Sequence, residues 1–160
     1  MLPKYEALKA VEKAGVLAVV RGRSEENSYK ISAASIKGGI KAIELAFTSP
    51  HADVTIERLN KDYADDPDVV VGAGTVLDPA TARMAMMAGA KFIVSPSYNE
   101  EVAKLCNLYA VPYMPGCYTP TEVQQALMTG ADVVKIFPGA IAGTKMIPEL
   151  QGPFPQANIM

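Results

Sequence analysis

Gly130-Ala131-Asp132-Val133-Val134-Lys135-Ile136-Phe137 is the stretch on which the reading of this chain turns. A glycine follows a helical pattern, a short turn comes next, and then an apolar run interrupted by a single lysine. Glycine just past the last helical residue ends a helix readily, because it takes the left-handed conformation without a Cβ clash. An unbroken run of β-branched and aromatic residues suits a parallel strand covered on both faces. The same kind of turn stands earlier, at Gly38-Gly39-Ile40 and Gly89-Ala90-Lys91. The strand ends repeat as well: Gly74, Ser95, Gly116 and Phe137 are spaced 21 residues apart.

Working outward from that unit, strands are predicted at Val16–Arg21, Ala42–Phe47, Val69–Val71, Phe92–Ser95, Val111–Met114 and Val133–Phe137, with a seventh starting at Asn158–Met160. Helices are predicted between them, at Glu25–Lys37, Ala52–Tyr63, Ala80–Ala88, Glu100–Tyr109 and Thr121–Met128, after an N-terminal helix over 3–14 that ends at Gly15. Ser24, Asp78, Asn99 and Thr119 or Thr121 are residue types that accept hydrogen bonds from a helix N-terminus, and Pro50, Pro79 and Pro120 lie near first-turn positions. Strand–helix alternation of this kind predicts a parallel α/β fold. A (β/α)₈ TIM-type barrel fits better than a doubly wound sheet, because no glycine-rich dinucleotide fingerprint follows the first strand. Six to seven of the eight βα units are present, read as one barrel domain over 1–160.

The composition narrows the function classes. With 49% hydrophobic and 20% charged residues, the chain is a core former and not a disordered segment. Its formal charge is −2, with Lys and Arg scattered, so a nucleic-acid partner is not expected. Charges at Lys4, Glu6, Lys9, Glu12 and Lys13 break any signal-peptide core, and no apolar run is long enough to span a bilayer. Cys106 and Cys117 stand at no metal-ligand spacing and read as free thiols. The expected setting is the cytoplasm, away from membranes.

Charged residues inside strands are the informative ones, because barrel active sites form at the C-terminal ends of strands. There are three: Arg21, Glu44 and Lys135. Glu44 lies five residues after Gly39 and Lys135 five after Gly130. They sit on the second and sixth predicted strands, and alternate strands contribute to the same interior layer. Desolvation in an apolar strand favours the neutral amine, the form that attacks a ketone to give a Schiff base. A buried carboxylate suits proton transfer to and from carbon. The pair is sufficient for carbon–carbon bond cleavage without a metal or other cofactor. The competing reading is an ion pair that only holds the barrel together. Arg21 can bind a carboxylate or phosphate, or form a surface salt bridge. Gly72-Ala73-Gly74-Thr75 can bring backbone N–H groups to a ligand, or serve only as a turn. His51 reads as a solvated helix-start residue.

Together these motifs resemble the bacterial 2-keto-3-deoxy-6-phosphogluconate (KDPG) aldolases, including those that act on 4-hydroxy-2-oxoglutarate (KHG). The resemblance rests on Ala18-Val19-Val20-Arg21-Gly22, Gly38-Gly39-Ile40-Lys41-Ala42-Ile43-Glu44 and Val71-Gly72-Ala73-Gly74-Thr75-Val76. It continues through Ala88–Pro96, Met114-Pro115-Gly116, Thr119-Pro120-Thr121-Glu122, Val134–Gly139 and Gly152-Pro153-Phe154-Pro155. It implies a metal-independent class I aldolase, usually trimeric, that cleaves a phosphorylated 2-keto acid to pyruvate and glyceraldehyde 3-phosphate. By motif, Lys135 corresponds to the Schiff-base lysine and Glu44 to the general acid/base. Thr75, Pro96 and Phe137 fall on positions lining the pyruvate pocket. Thr48 stands where many members carry a carboxylate-binding arginine, and Ala46 where a threonine is common. Carboxylate contacts are therefore expected to pass to Arg21, or to Thr75 and backbone amides, and Thr48 is counted among the substrate-binding residues. The family continues past its seventh strand with a threonine-glycine-glycine phosphate loop, which these 160 residues do not contain. Cleavage of the non-phosphorylated 4-hydroxy-2-oxoglutarate, and a non-catalytic assembly module, are the alternative functions.

Overall fold

The computed structural model describes residues 2–160, and the six predicted strands and six predicted helices occur within it. Their order is α1 (Pro3–Ala14), β1 (Leu17–Val20), α2 (Glu25–Lys37), β2 (Ala42–Ala46), α3 (Ala52–Asp62), β3 (Val70–Gly74), α4 (Pro79–Met87) and β4 (Ile93–Val94). Then come α5 (Glu100–Leu108), β5 (Tyr113–Met114), β6 (Gly116–Cys117), α6 (Pro120–Met128), β7 (Lys135–Ile136), α7 (Gly139–Ala142) and α8 (Met146–Gln151). Every pairing between strands is parallel, in the order β1-β2-β3-β4-β5, with β6 beside β7. β5 and β6 flank Pro115, which has no N–H to donate, although its carbonyl accepts from the Lys135 N–H. They are the two halves of one strand, so the observed count matches six predicted strands. Residues 158–160 extend the series: Val134 bridges Ile159 in parallel, and the Ile136 N–H donates to the Met160 carbonyl. This is the curved, parallel α/β arrangement of a TIM-type barrel.

Several details differ from the sequence expectation. The strands predicted at Phe92–Ser95, Val111–Met114 and Val133–Phe137 are ladder-paired only over Ile93–Val94, Tyr113–Met114 and Lys135–Ile136, and residues 158–160 form a single bridge. β3 runs on to Gly74 instead of ending at Val71. Glycine normally weakens a strand, which is why the expectation stopped early. Here the missing side chains make space: a Cβ on Gly72 would lie 2.4 Å from the Phe92 ring. The short helices α7 and α8 were not anticipated, because Pro, Gly and Lys there obscure a helical period.

Alternation along each strand divides the core. Ile43, Leu45, Val71, Ala73 and Ile93 point outward and pack on Ile36, Ile56, Leu59, Ala82, Ala85 and Val102 of the helices. Ala42, Val70, Phe92, Val94 and Met114 point inward, where Leu8, Val11 and Ala14 of α1 close the bottom of the barrel. Ion pairs from Lys4 to Asp132 and from Lys13 to Asp68 fix α1 at both ends. Cys106 and Cys117 are buried free thiols, each pushed up to about 12 by burial. No helix among the described residues is long and apolar enough to cross a membrane.

Ser24, Asp78, Asn99 and Thr119, the last in preference to Thr121, each accept from the backbone N–H three residues on, whereas Pro50 precedes the His51 N-cap and lies outside α3. At the C-termini glycine is not universal. Gly15, Gly39, Gly89 and Gly130 take positive φ in four helix-to-strand turns, whereas α3 leaves through Tyr63 at φ -112 and α5 through Ala110 at φ 53. A left-handed L-residue costs about 1–2 kcal/mol, and glycine's extra chain entropy returns about 0.5–1 kcal/mol of that. Ala110→Gly is therefore expected to stabilise the fold by roughly 0.5–1 kcal/mol, read as a rise of a few degrees in thermal melting.

Candidate active site

The inward positions continue upward into charged residues. On β1 the series Leu17, Val19 reaches Arg21; on β2 the series Ala42, Glu44, Ala46 reaches Thr48; on β7 Val133 leads to Lys135 and Phe137. Strand parity alone therefore aims Arg21, Glu44 and Lys135 into the same space above the apolar floor. Glu44 is 1% exposed, and its Oε1 lies 3.8 Å from Lys135 Nζ. That is ion-pair distance but too long for a hydrogen bond. The Lys135 side chain is 17% exposed, in contrast to the enclosed Glu44. The Phe137 ring lies 5.3 Å from the same nitrogen.

Glu44 has an unusual surrounding for a carboxylate. Its Oε2 is buried and has no hydrogen-bond partner among the described residues. Burial pushes its pKa above the ordinary 4.5, while the charges of Lys135 and, after it, Arg21 pull it back down. Gly74 creates the space. A Cβ there would sit 1.8 Å from Glu44 Oε1. The glycine-rich segment thus serves the carboxylate's position, a role that the sequence did not disclose because it depends on which side chain leans across from β2.

Arg21 is exposed at the mouth. Among the described residues it makes no ion pair; its Nε donates to Thr48 Oγ1 at 2.8 Å and its Nη2 to Thr75 Oγ1 at 3.1 Å. The alternative reading of Arg21, a surface salt bridge, is not seen among the described residues. Three of the predicted substrate-binding residues are brought together instead. Thr75 reaches inward although its parity matches the outward Val71 and Ala73, because its φ of 55 turns the chain. Pro96 is half-buried at the end of β4, where its carbonyl packs against Gly116; a Cβ on Gly116 would lie 2.2 Å from that oxygen. His51 is the exposed residue before α3, without a side-chain cap bond. No group of three His, Cys, Asp or Glu that could hold a metal ion comes together among the described residues.

A parallel α/β barrel that carries a partly exposed lysine beside a buried carboxylate at its strand C-termini holds the groups that Schiff-base chemistry needs. The chain belongs to the KDPG and KHG aldolase family, whose model matches residues 8–160. It is 37% identical over 155 residues to a 2-dehydro-3-deoxy-phosphogluconate aldolase of Treponema pallidum, covering 96% of this chain and 71% of that one. It is 38% identical over 125 residues to the Haemophilus influenzae aldolase of the same name, covering 78% and 58%. Among solved structures, it superposes with a TM-score of 0.84 on the Legionella pneumophila KDPG aldolase, in which pyruvate was captured as a covalent carbinolamine. The identity there is 28%, covering 99% of this chain and 74% of that one. The chain thus spans between 58% and 71% of the two named aldolases.

Overpacking at Gly74 tests the geometry. Gly74→Ala is expected to destabilise by about 1–3 kcal/mol, measured by thermal or urea unfolding. Gly139→Ala, where a Cβ would meet nothing within 4 Å, is the matched control and should unfold like the parent.

Proposed function

We propose that this protein is a class I aldolase that cleaves 2-keto-3-deoxy-6-phosphogluconate to pyruvate and glyceraldehyde 3-phosphate. The observation that carries the reading is the 3.8 Å approach of Lys135 Nζ to the buried Glu44 carboxylate inside the barrel. The amine of Lys135 adds to the C2 carbonyl, and loss of water gives a protonated imine. Glu44 takes the proton of the C4 hydroxyl, the C3–C4 bond breaks, and the electron pair moves into the imine to form an enamine. The aldehyde departs. Protonated Glu44 returns its proton to C3, directly or through water, and hydrolysis then releases pyruvate. Arg21 receives the substrate carboxylate, and Phe137 covers the pyruvyl group.

Other parts of the reading follow the family. The substrate is a small phosphorylated 2-keto acid, and the reaction uses no metal or other cofactor. The setting is the cytoplasm, where two buried unpaired thiols are at home. The assembly is a homotrimer, for which exposed Leu77, Tyr118 and Ile141 beyond the strand ends offer apolar contact surface.

Borohydride reduction in the presence of pyruvate should add one reduced pyruvyl group to Lys135, read by peptide mass spectrometry. An unmodified Lys135 would overturn the Schiff-base role. Glu44→Gln should lower cleavage by about 10²- to 10⁴-fold. Glu44 must be ionised to accept the hydroxyl proton, so activity should fall as pH drops through its pKa. Burial places that limb above 4.5, and Glu44→Gln should abolish it. The phosphorylated substrate should be cleaved faster than 4-hydroxy-2-oxoglutarate; the opposite order would reassign the substrate.

A further inference from the structure

We propose that Thr48 and Thr75 are positioning residues that lock the Arg21 guanidinium over the site, and that Thr75 does so from a strained backbone. The proposal rests on the aldolase reading above and adds to it a hold of the two threonines on Arg21.

Arginine carries its charge on a long side chain, and at an exposed barrel mouth nothing intrinsic holds it in one rotamer. Here two hydroxyls from different strand ends accept its Nε and Nη2 hydrogens. Both bonds use the same edge of the planar fork. The terminal edge, formed by Nη1 and the second Nη2 hydrogen, stays open, and that edge matches a carboxylate bidentately. Arg21 thereby acquires a fixed orientation without a counter-charge that would compete with the substrate's carboxylate.

Thr75 makes its contact at a cost. It is β-branched and has φ 55, a conformation in which such residues are outliers. The strand before it runs straight through Gly74, so an ordinary extended residue at 75 would point outward like Ala73, away from Arg21. The left-handed turn carries Oγ1 to the inner side. Strain of this kind costs about 1–3 kcal/mol and persists where function requires the resulting geometry.

The test is borohydride trapping of pyruvate on Lys135 across a pyruvate titration, with thermal melting alongside. Thr48→Val and Thr75→Val should each raise half-saturation by about three- to tenfold, the value of one such hydrogen bond, with the limiting rate largely kept. Thr75→Ser should behave like the parent. In an Arg21→Ala background, adding Thr48→Val should change nothing further. Thr75→Gly should melt above Thr75→Val, because glycine relieves the left-handed strain. Unchanged half-saturation in both valine variants would overturn the clamp, as would a further loss in the Arg21→Ala background. Thr75→Gly melting below Thr75→Val would overturn the strain claim without reference to pyruvate. Absence of the wild-type adduct would instead overturn the aldolase reading.

Discussion

The carboxylate of Glu44 lies in an apolar interior, touching one ammonium and leaving one oxygen without a partner among the described residues. Burying a charge is unfavourable unless something compensates, and Lys135 supplies only part of the compensation at 3.8 Å. Much of the surrounding structure bears on that single placement. Gly74 removes the side chain that would collide with the carboxylate. Gly72 lets the Phe92 ring lie across the inner layer below it. α1 closes the bottom of the barrel with Leu8, Val11 and Ala14, which keeps water from the lower side. The result is a carboxyl group whose pKa is raised by burial and lowered again by two neighbouring cations, a balance suited to a group that must both take and return a proton.

The scaffold and the chemistry use different faces of the same strands. Outward residues such as Ile43, Leu45 and Ile93 bury against α2 to α5. Inward residues form an apolar layer at the bottom and a charged one at the top. Because the side-chain period of a strand is two, one register sets both layers at once. The parallel pairing of Glu44 with Gly72, and of Lys135 with Gly116, therefore positions the reactive groups through the same backbone bonds that hold the sheet.

Some of this was legible in the residues themselves. The glycine turns at 38–39, 89 and 130 and the N-cap residues define where helices stop and start. These are local effects, decided by φ preference and by side-chain bonds within a few residues. The lone charges in apolar strands marked Glu44 and Lys135, since an ionised group in such a setting must have a partner or a task. Strand parity then placed them on a common face. α7 and α8 were not legible, because their short spans carry no period, and β3 read too short because glycine counts against a strand.

The sequence by itself determined the repeating unit, the parallel fold class and the two residues that could carry Schiff-base chemistry, because each depends on neighbours in the chain. Tertiary structure decided which groups meet. That Gly74 accommodates Glu44, that Arg21 bonds Thr48 and Thr75 and forms no ion pair, and that Thr75 turns inward are facts of contact between separate strand ends. No periodicity encodes them, since they depend on the curvature of the barrel and on the volumes of side chains far apart in the chain.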